Sequence, residues 1–197
     1  MVYKSIGCNM QWLWDYLNES VDVTQLTDRQ MVCLWVSELE QMIYRNIIKE
    51  ITVQEITEFP QTLHCDVSDI DRLIVNGMEY ERASPAALVD EYVYYTLFED
   101  AGEEKVNRLY IKPEPFMIDA KLYTKWTPDI KTAEGETFSD NTIYLPDEWI
   151  KIVTAYCKAM IYKEVNEFVL SNNYLSEYNA YLEDFVIFVQ NNDSSIY

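Results

Sequence analysis

The chain has one histidine, four glycines and four cysteines in 197 residues, and only 15 lysines and arginines against 34 aspartates and glutamates. Each shortage excludes a class of function. With His64 alone, no multi-histidine metal site can be built, and little room remains for a Ser-His-Asp or Cys-His mechanism. His64 and Cys65 are adjacent, but on a strand consecutive side chains point to opposite faces, so the pair is expected to be structural or surface. Gly7, Gly77, Gly102 and Gly135 are isolated, so neither a phosphate loop nor a dinucleotide fingerprint is present. Cys8, Cys33, Cys65 and Cys157 lie far apart without a C-x-x-C pair, which predicts reduced thiols and no zinc site or disulfide framework. No apolar run reaches roughly eighteen residues, and no basic-then-apolar start is seen, so neither a membrane span nor a secretory leader is expected. The net charge of −19 argues against binding nucleic acid by neutralising phosphates.

What the chain has in quantity is apolar and aromatic surface. Its hydrophobic fraction of 49% is enough for a real core, and its 16 tyrosines and five tryptophans suit either a core or a protein–protein contact. Carboxylates cluster at Asp66, Asp69 and Asp71 and at Glu99, Asp100, Glu103 and Glu104. Neither group has calcium-loop spacing, and both read as solvated turns. Two carboxylates meeting in a cleft would be able to hydrolyse a glycoside, but no pair stands out. No cofactor and no catalytic residue is expected.

The spacing of apolar residues predicts helices at both ends. Ile6, Met10, Leu13 and Leu17 mark a first helix over Ile6–Asn18. "LTDRQM" predicts the start of a second, with Thr27 as cap, Gln30 completing a capping box and Leu26 stapling to Met31. Its stripe runs through Met31, Leu34, Trp35, Leu39, Met42, Ile43 and Ile47. From about residue 51 the period falls towards two. Asn76-Gly77 predicts a two-residue hairpin turn, Ser84-Pro85 a short helix to about Glu91, and "YVYYTLFEDAGEEKVNRLYI" a further strand pair. "AKLYTKW" alternates clearly, and 127–144 reads as a polar connector. Helical signal returns at Pro146, with Trp149, Ile152, Val153, Tyr156, Ala159 and Met160 facing one way. "SNN" at 171–173 is expected to stop that helix before a last one marked by Tyr174, Leu175, Tyr178, Tyr181, Leu182, Phe185, Val186 and Val189. The expected fold class is α+β: mainly a helical bundle, from 1–50 and 146–197 and ending in a helical hairpin, with a central β-sheet insertion over 51–145.

The order of "LTDRQMVCLWVSELEQMIYRNI", "DRLIVNGMEYERASP", "VNRLYIKPEP", "AKLYTKWTPDI", "YLPDEWIKIVTAYCKAMIYKEV" and "YLSEYNAYLEDFVIFV" resembles that of tailed-bacteriophage head-to-tail connectors. These are the portal adaptors and tail-tubular-like ring proteins, and the likeness spans roughly Leu26 to Gln190. The resemblance implies a structural virion protein, made in the host cytoplasm and placed at the head–tail junction. It implies a homo-oligomeric ring, dodecameric in related adaptors, that binds the portal protein above and a downstream tail or nozzle protein below. Genomic DNA would pass through its acidic lumen without specific binding. By position it also implies that the C-terminal segment Asn191, Asn192, Asp193, Ser194, Ser195, Ile196 and Tyr197 docks into the portal, with Ile196 and Tyr197 as anchors. The alternatives are another virion subunit, such as a stopper or minor tail protein, or a small acidic hydrolase.

Overall fold

A computed structural model describes residues 4–21, 28–85, 92–101, 104–133 and 137–192. The chain divides into two compact units, one made of Met1–Ile48 with Thr127–Tyr197 and the other of Lys49–Trp126.

In the first unit, α1 (Met10–Ser20) begins at Asn9, whose side chain accepts the Trp12 N–H at 2.8 Å. That bond satisfies one of the free donors of the first turn. Met10, Leu13 and Leu17 are fully buried along its inner face, while Ile6 precedes the helix and is exposed. Helix α2 (Arg29–Ile43) is capped by Asp28, whose carboxylate accepts the Gln30 N–H at 3.2 Å. The Leu26 and Thr27 start signals lie outside the described residues. The buried face of α2 is Val32, Cys33, Trp35, Val36, Leu39, Glu40 and Ile43, so it is turned from the expected stripe and leaves Leu34 exposed. A π-helical turn, Tyr44–Ile48, ends it. The segment read as a polar connector packs in this unit: Phe138 of α3 (Thr137–Asp140) and Ile143 are buried, as is Leu145 just after it.

The last two helices form an antiparallel hairpin. Helix α4 (Ile150–Glu164) follows a short 3-10 turn at Asp147–Trp149, and α5 spans Phe168–Asn192. The break falls at residues 165–167, where Asn166 takes φ 61°, and not at Ser171-Asn172-Asn173. Asparagine tolerates the left-handed region, and the Glu167 N–H reaches back to the Tyr162 carbonyl at 2.8 Å to close the turn. Ser171 does not stop α5 because its hydroxyl donates to the Ala159 carbonyl of α4 at 2.9 Å, in the buried seam.

The second unit is a seven-stranded sheet. Its strands are β1 (Ile51–Ile56), β2 (Gln61–Thr62), β3 (Ile70–Val75), β4 (Met78–Arg82), β5 (Val93–Ala101), β6 (Glu104–Lys112) and β7 (Ala120–Lys125). Their order is β1-β7-β3-β4-β5-β6-β2, antiparallel except for β4 with β5. The Asn76-Gly77 turn joins β3 to β4 with φ 51° and 80°, the positive values such a turn requires. Asn76 also clamps the chain entering β7, donating to the Met117 carbonyl at 2.8 Å and accepting the Asp119 N–H at 2.9 Å. The helix expected after Ser84-Pro85 falls mostly on 86–91, outside the described residues.

These strands overturn the expected fold class. The protein is not mainly a helical bundle with a central insertion: its described residues are about 48% helical and 25% strand, and the sheet curls into a nearly closed barrel-like body. Ile56, Leu63, Leu73, Val75, Tyr80, Tyr94, Leu109, Ile111, Ala120 and Leu122, from every part of the order, share one interior. The physical reason is non-local pairing. The sequence announces one hairpin turn and one further strand pair, but β1 with β7, β2 with β6 and β3 with β7 join residues far apart in sequence and give the unit its own core.

Candidate functional site

Asn191 and Asn192, the first two residues of the expected docking segment, are the exposed end of α5, where the Asn192 amide donates to the Phe188 carbonyl at 2.9 Å. Asp193, Ser194, Ser195, Ile196 and Tyr197 lie outside the described residues. His64 is exposed in the bend after β2, and the four thiols are free. Burial raises the pKa of Cys33, Cys65 and Cys157, the last being fully enclosed, which makes each a poorer nucleophile. Among the described residues, no group of His, Cys, Asp and Glu is placed to hold a metal ion, and no helix is long and apolar enough to cross a membrane.

The geometry brings together three features of the first unit. The first is a buried charge cluster. Glu40, on the inner face of α2, is ion-paired with Lys131, and both side chains are almost wholly enclosed. The other Glu40 oxygen accepts the Tyr144 N–H at 2.7 Å, and the Lys131 ammonium lies 5.2 Å from the Tyr144 ring centre. Ser37 accepts the Lys131 N–H at 2.9 Å and donates to the Cys33 carbonyl at 2.7 Å. Burial pushes the Glu40 carboxyl up, while Lys131 and the Tyr144 N–H pull it down. With every polar atom engaged and no opening to solvent, the cluster fixes the connector onto α2. A legible signal existed: Glu40 stands four residues after Val36 and three before Ile43, on the apolar face.

The second feature is a carboxylate held by the N-terminal segment. Asp147 accepts from the Ser5 hydroxyl at 2.5 Å and from the N–H groups of Ile6 and Gly7 at 3.0 and 3.3 Å. The Ser5 hydroxyl in turn accepts the Cys8 N–H at 2.8 Å. The Ser5 bond, then that of Gly7, holds the Asp147 carboxyl below its ordinary 3.8. A depressed carboxylate contributes stability above its unfolded value, and that contribution is lost as pH falls through the lowered folded one. The protection of the Ile6, Gly7 and Cys8 amides, relative to their intrinsic exchange at each pH, is therefore expected to fall on acidification below about pH 3.8 in the native protein. In Asp147→Ala these amides are expected to exchange several-fold faster at neutral pH and to lose that pH dependence. Unchanged protection in the variant would show that Asp147 does not hold the segment.

The third is the hairpin of α4 and α5. Its seam is aromatic: Tyr162 stacks on Tyr174 at 5.5 Å, Tyr156 meets Tyr178 at 5.2 Å, and Trp149 meets Phe185 at 5.1 Å edge-on. Lys151 sits over Trp149 and Tyr181, and Lys158 over Tyr16 and Tyr174, so two of the few cations are spent on rings. Past this seam the turn reverses the usual rule. Val165, Phe168, Val169 and Leu170 are all exposed, Val169 by 75%. A shallow apolar groove further along α5 is lined by Leu182, Val186 and Ile187. The periodicity of α5 marks its inner face and says nothing of this end, because Phe168-Val169-Leu170 reads as a continuation of the core.

Compared with known proteins, the chain matches no family model, and no curated protein is significantly similar to it.

Proposed function

We propose that this chain is a structural virion protein, an adaptor subunit of a tailed bacteriophage that assembles as a ring beneath the portal and joins capsid to tail. The observation that carries this reading is the exposed apolar end of the α4–α5 hairpin, Val165, Phe168, Val169 and Leu170, on a chain whose net charge is −19. Contiguous exposed apolar side chains mark contacts with other proteins, and a strongly acidic surface repels DNA passing beside it. The order of sequence segments that resembles the connectors adds the portal, a downstream tail protein and a dodecameric ring as partners. The docking segment in this reading is Asn191–Tyr197, whose first two residues are the last two of α5.

Light scattering of the purified chain, alone and mixed with the portal protein of the same virus, tests the reading. A ring, formed alone or on the portal, is the expected result. Phe168→Ser with Val169→Ser is expected to abolish the assembly while leaving the helical far-ultraviolet signal unchanged. A chain that neither forms a ring nor binds that portal would overturn the proposal.

A further inference from the structure

The two edges of the sheet are built differently. β2 is two residues long and follows Pro60, a short edge of the kind that resists further pairing. β1, Ile-Thr-Val-Gln-Glu-Ile, is six residues long, with no proline, no lysine and a single charge. Ile51 through Glu55 are all exposed, so neither face of that stretch is covered, and Ile51 and Val53 are 37% and 52% exposed. Among the described residues, no strand pairs with β1 on the side away from β7.

The hydrogen-bond phase of that edge follows from one contact. The Trp126 N–H donates to the Glu50 carbonyl at 2.8 Å, and Ile51 is opposite Lys125, so Glu50 and Trp126 are a hydrogen-bonded pair. Bonded pairs alternate in an antiparallel ladder. Thr52, Gln54 and Ile56 therefore bond to β7, while the N–H and C=O groups of Ile51, Val53 and Glu55 point outwards. A long edge with free groups and exposed β-branched side chains is a template for one more strand.

We propose that two copies of this chain pair antiparallel through β1, across a two-fold axis at Val53, and so join their sheets. In this register the outward groups meet in phase. Val53 faces Val53 of the second copy, Ile51 faces Glu55, and Thr52 faces Gln54. No like charges oppose each other, although each strand brings an identical carboxylate. Ile51 is cross-strand to Lys125 within its own chain, so Glu55 looks over Ile51 of the second copy to that copy's Lys125. Two strand spacings are about 10 Å, within the combined reach of the two side chains on a shared face. At the axis, the two valines lie between Tyr123 side chains, each covered by Arg72 at 4.5 Å from the ring centre. An isologous contact of this kind is separate from the head-to-tail contacts of a ring, so it does not rest on the adaptor reading.

The test uses the full chain. Val53→Cys is expected to crosslink to itself under mild oxidation, whereas Thr52→Cys, which faces Gln54 and not itself, crosslinks far less. Val53→Pro removes an outward donor and leaves the bonds to β7 intact, so its thermal unfolding is expected to match the native protein while its pairing weakens at least about tenfold, the worth of one or two backbone bonds. Val53→Lys and Val53→Glu are each expected to sediment at half the native mass, and their mixture to recover it, because position 53 opposes itself. Equal crosslinking at positions 52 and 53, or a Val53→Pro chain that associates like the native one, would overturn the proposal. If Val53→Pro fails to fold, the lysine and glutamate pair decides alone: no recovery on mixing overturns it.

Discussion

Lys131→Met is expected to destabilise the first unit by about 3–5 kcal/mol, the usual cost of removing one member of a buried ion pair. The side chains of Glu40 and Lys131 are almost wholly enclosed, so water cannot replace the lost ammonium. The carboxylate would keep the Tyr144 N–H but lose its counter-charge. Adding Glu40→Gln is expected to recover more than half of the loss, because the amide oxygen still accepts from Tyr144 and no charge remains to be solvated. Urea unfolding followed by far-ultraviolet circular dichroism measures both. A double variant no more stable than the single one would mean that packing of the lysine stem, not the orphaned charge, sets the cost. The pH dependence gives an independent check. Burial already raises the Glu40 carboxyl above its ordinary 4.5, and loss of Lys131 removes an opposing influence. A raised folded value means that stability is fully present below the unfolded value and is lost as pH rises. The Lys131→Met chain is therefore expected to be relatively most stable below about pH 4.5 and to weaken towards neutrality.

Leu122→Ala is expected to cost about 2–5 kcal/mol in the second unit. Leu122 is fully buried in β7, the strand that pairs with both β1 and β3, and lies opposite Gln54 on one side and Leu73 on the other. Truncation removes contacts from the interior shared by Leu73, Val75, Tyr80 and Leu109, in a barrel-like body too small to close over the gap without moving strands. Hydrogen exchange should show the loss of protection concentrated in β1, β3 and β7, with the amides of α2, α4 and α5 unaffected. A uniform loss across both units would instead show that they unfold together. The pair of variants thus measures whether each compact unit holds its own stability.

Local signals were legible wherever a few neighbouring residues decide the outcome. Asn76-Gly77 announces its turn because only such residues take two positive φ angles cheaply, and Met10, Leu13 and Leu17 announce the inner face of α1. Signals failed where a distant group intervened. Ser171 read as a helix stop, yet the Ala159 carbonyl of the neighbouring helix satisfies its hydroxyl. Leu34 read as core because its spacing suits the stripe, but the face of α2 is chosen by Lys131 and the connector packing on Glu40 and Ser37. The apolar tip at Phe168, Val169 and Leu170 could not be told from core by period alone.

By itself, then, the sequence determined the helical ends, the β-rich middle, the hairpin turn and the acidic, glycine-poor composition that leaves no phosphate loop or histidine cluster. These depend on spacing, turn chemistry and counting, all of which are local. Only the tertiary structure decided that the strands curl into a body with its own interior, that a lysine from a polar stretch is buried against Glu40, and that β1 is left as an open edge. Each of those is a pairing between segments remote in sequence. The free energy that selects among such pairings comes from burial and hydrogen bonds that exist only once the chain has closed on itself.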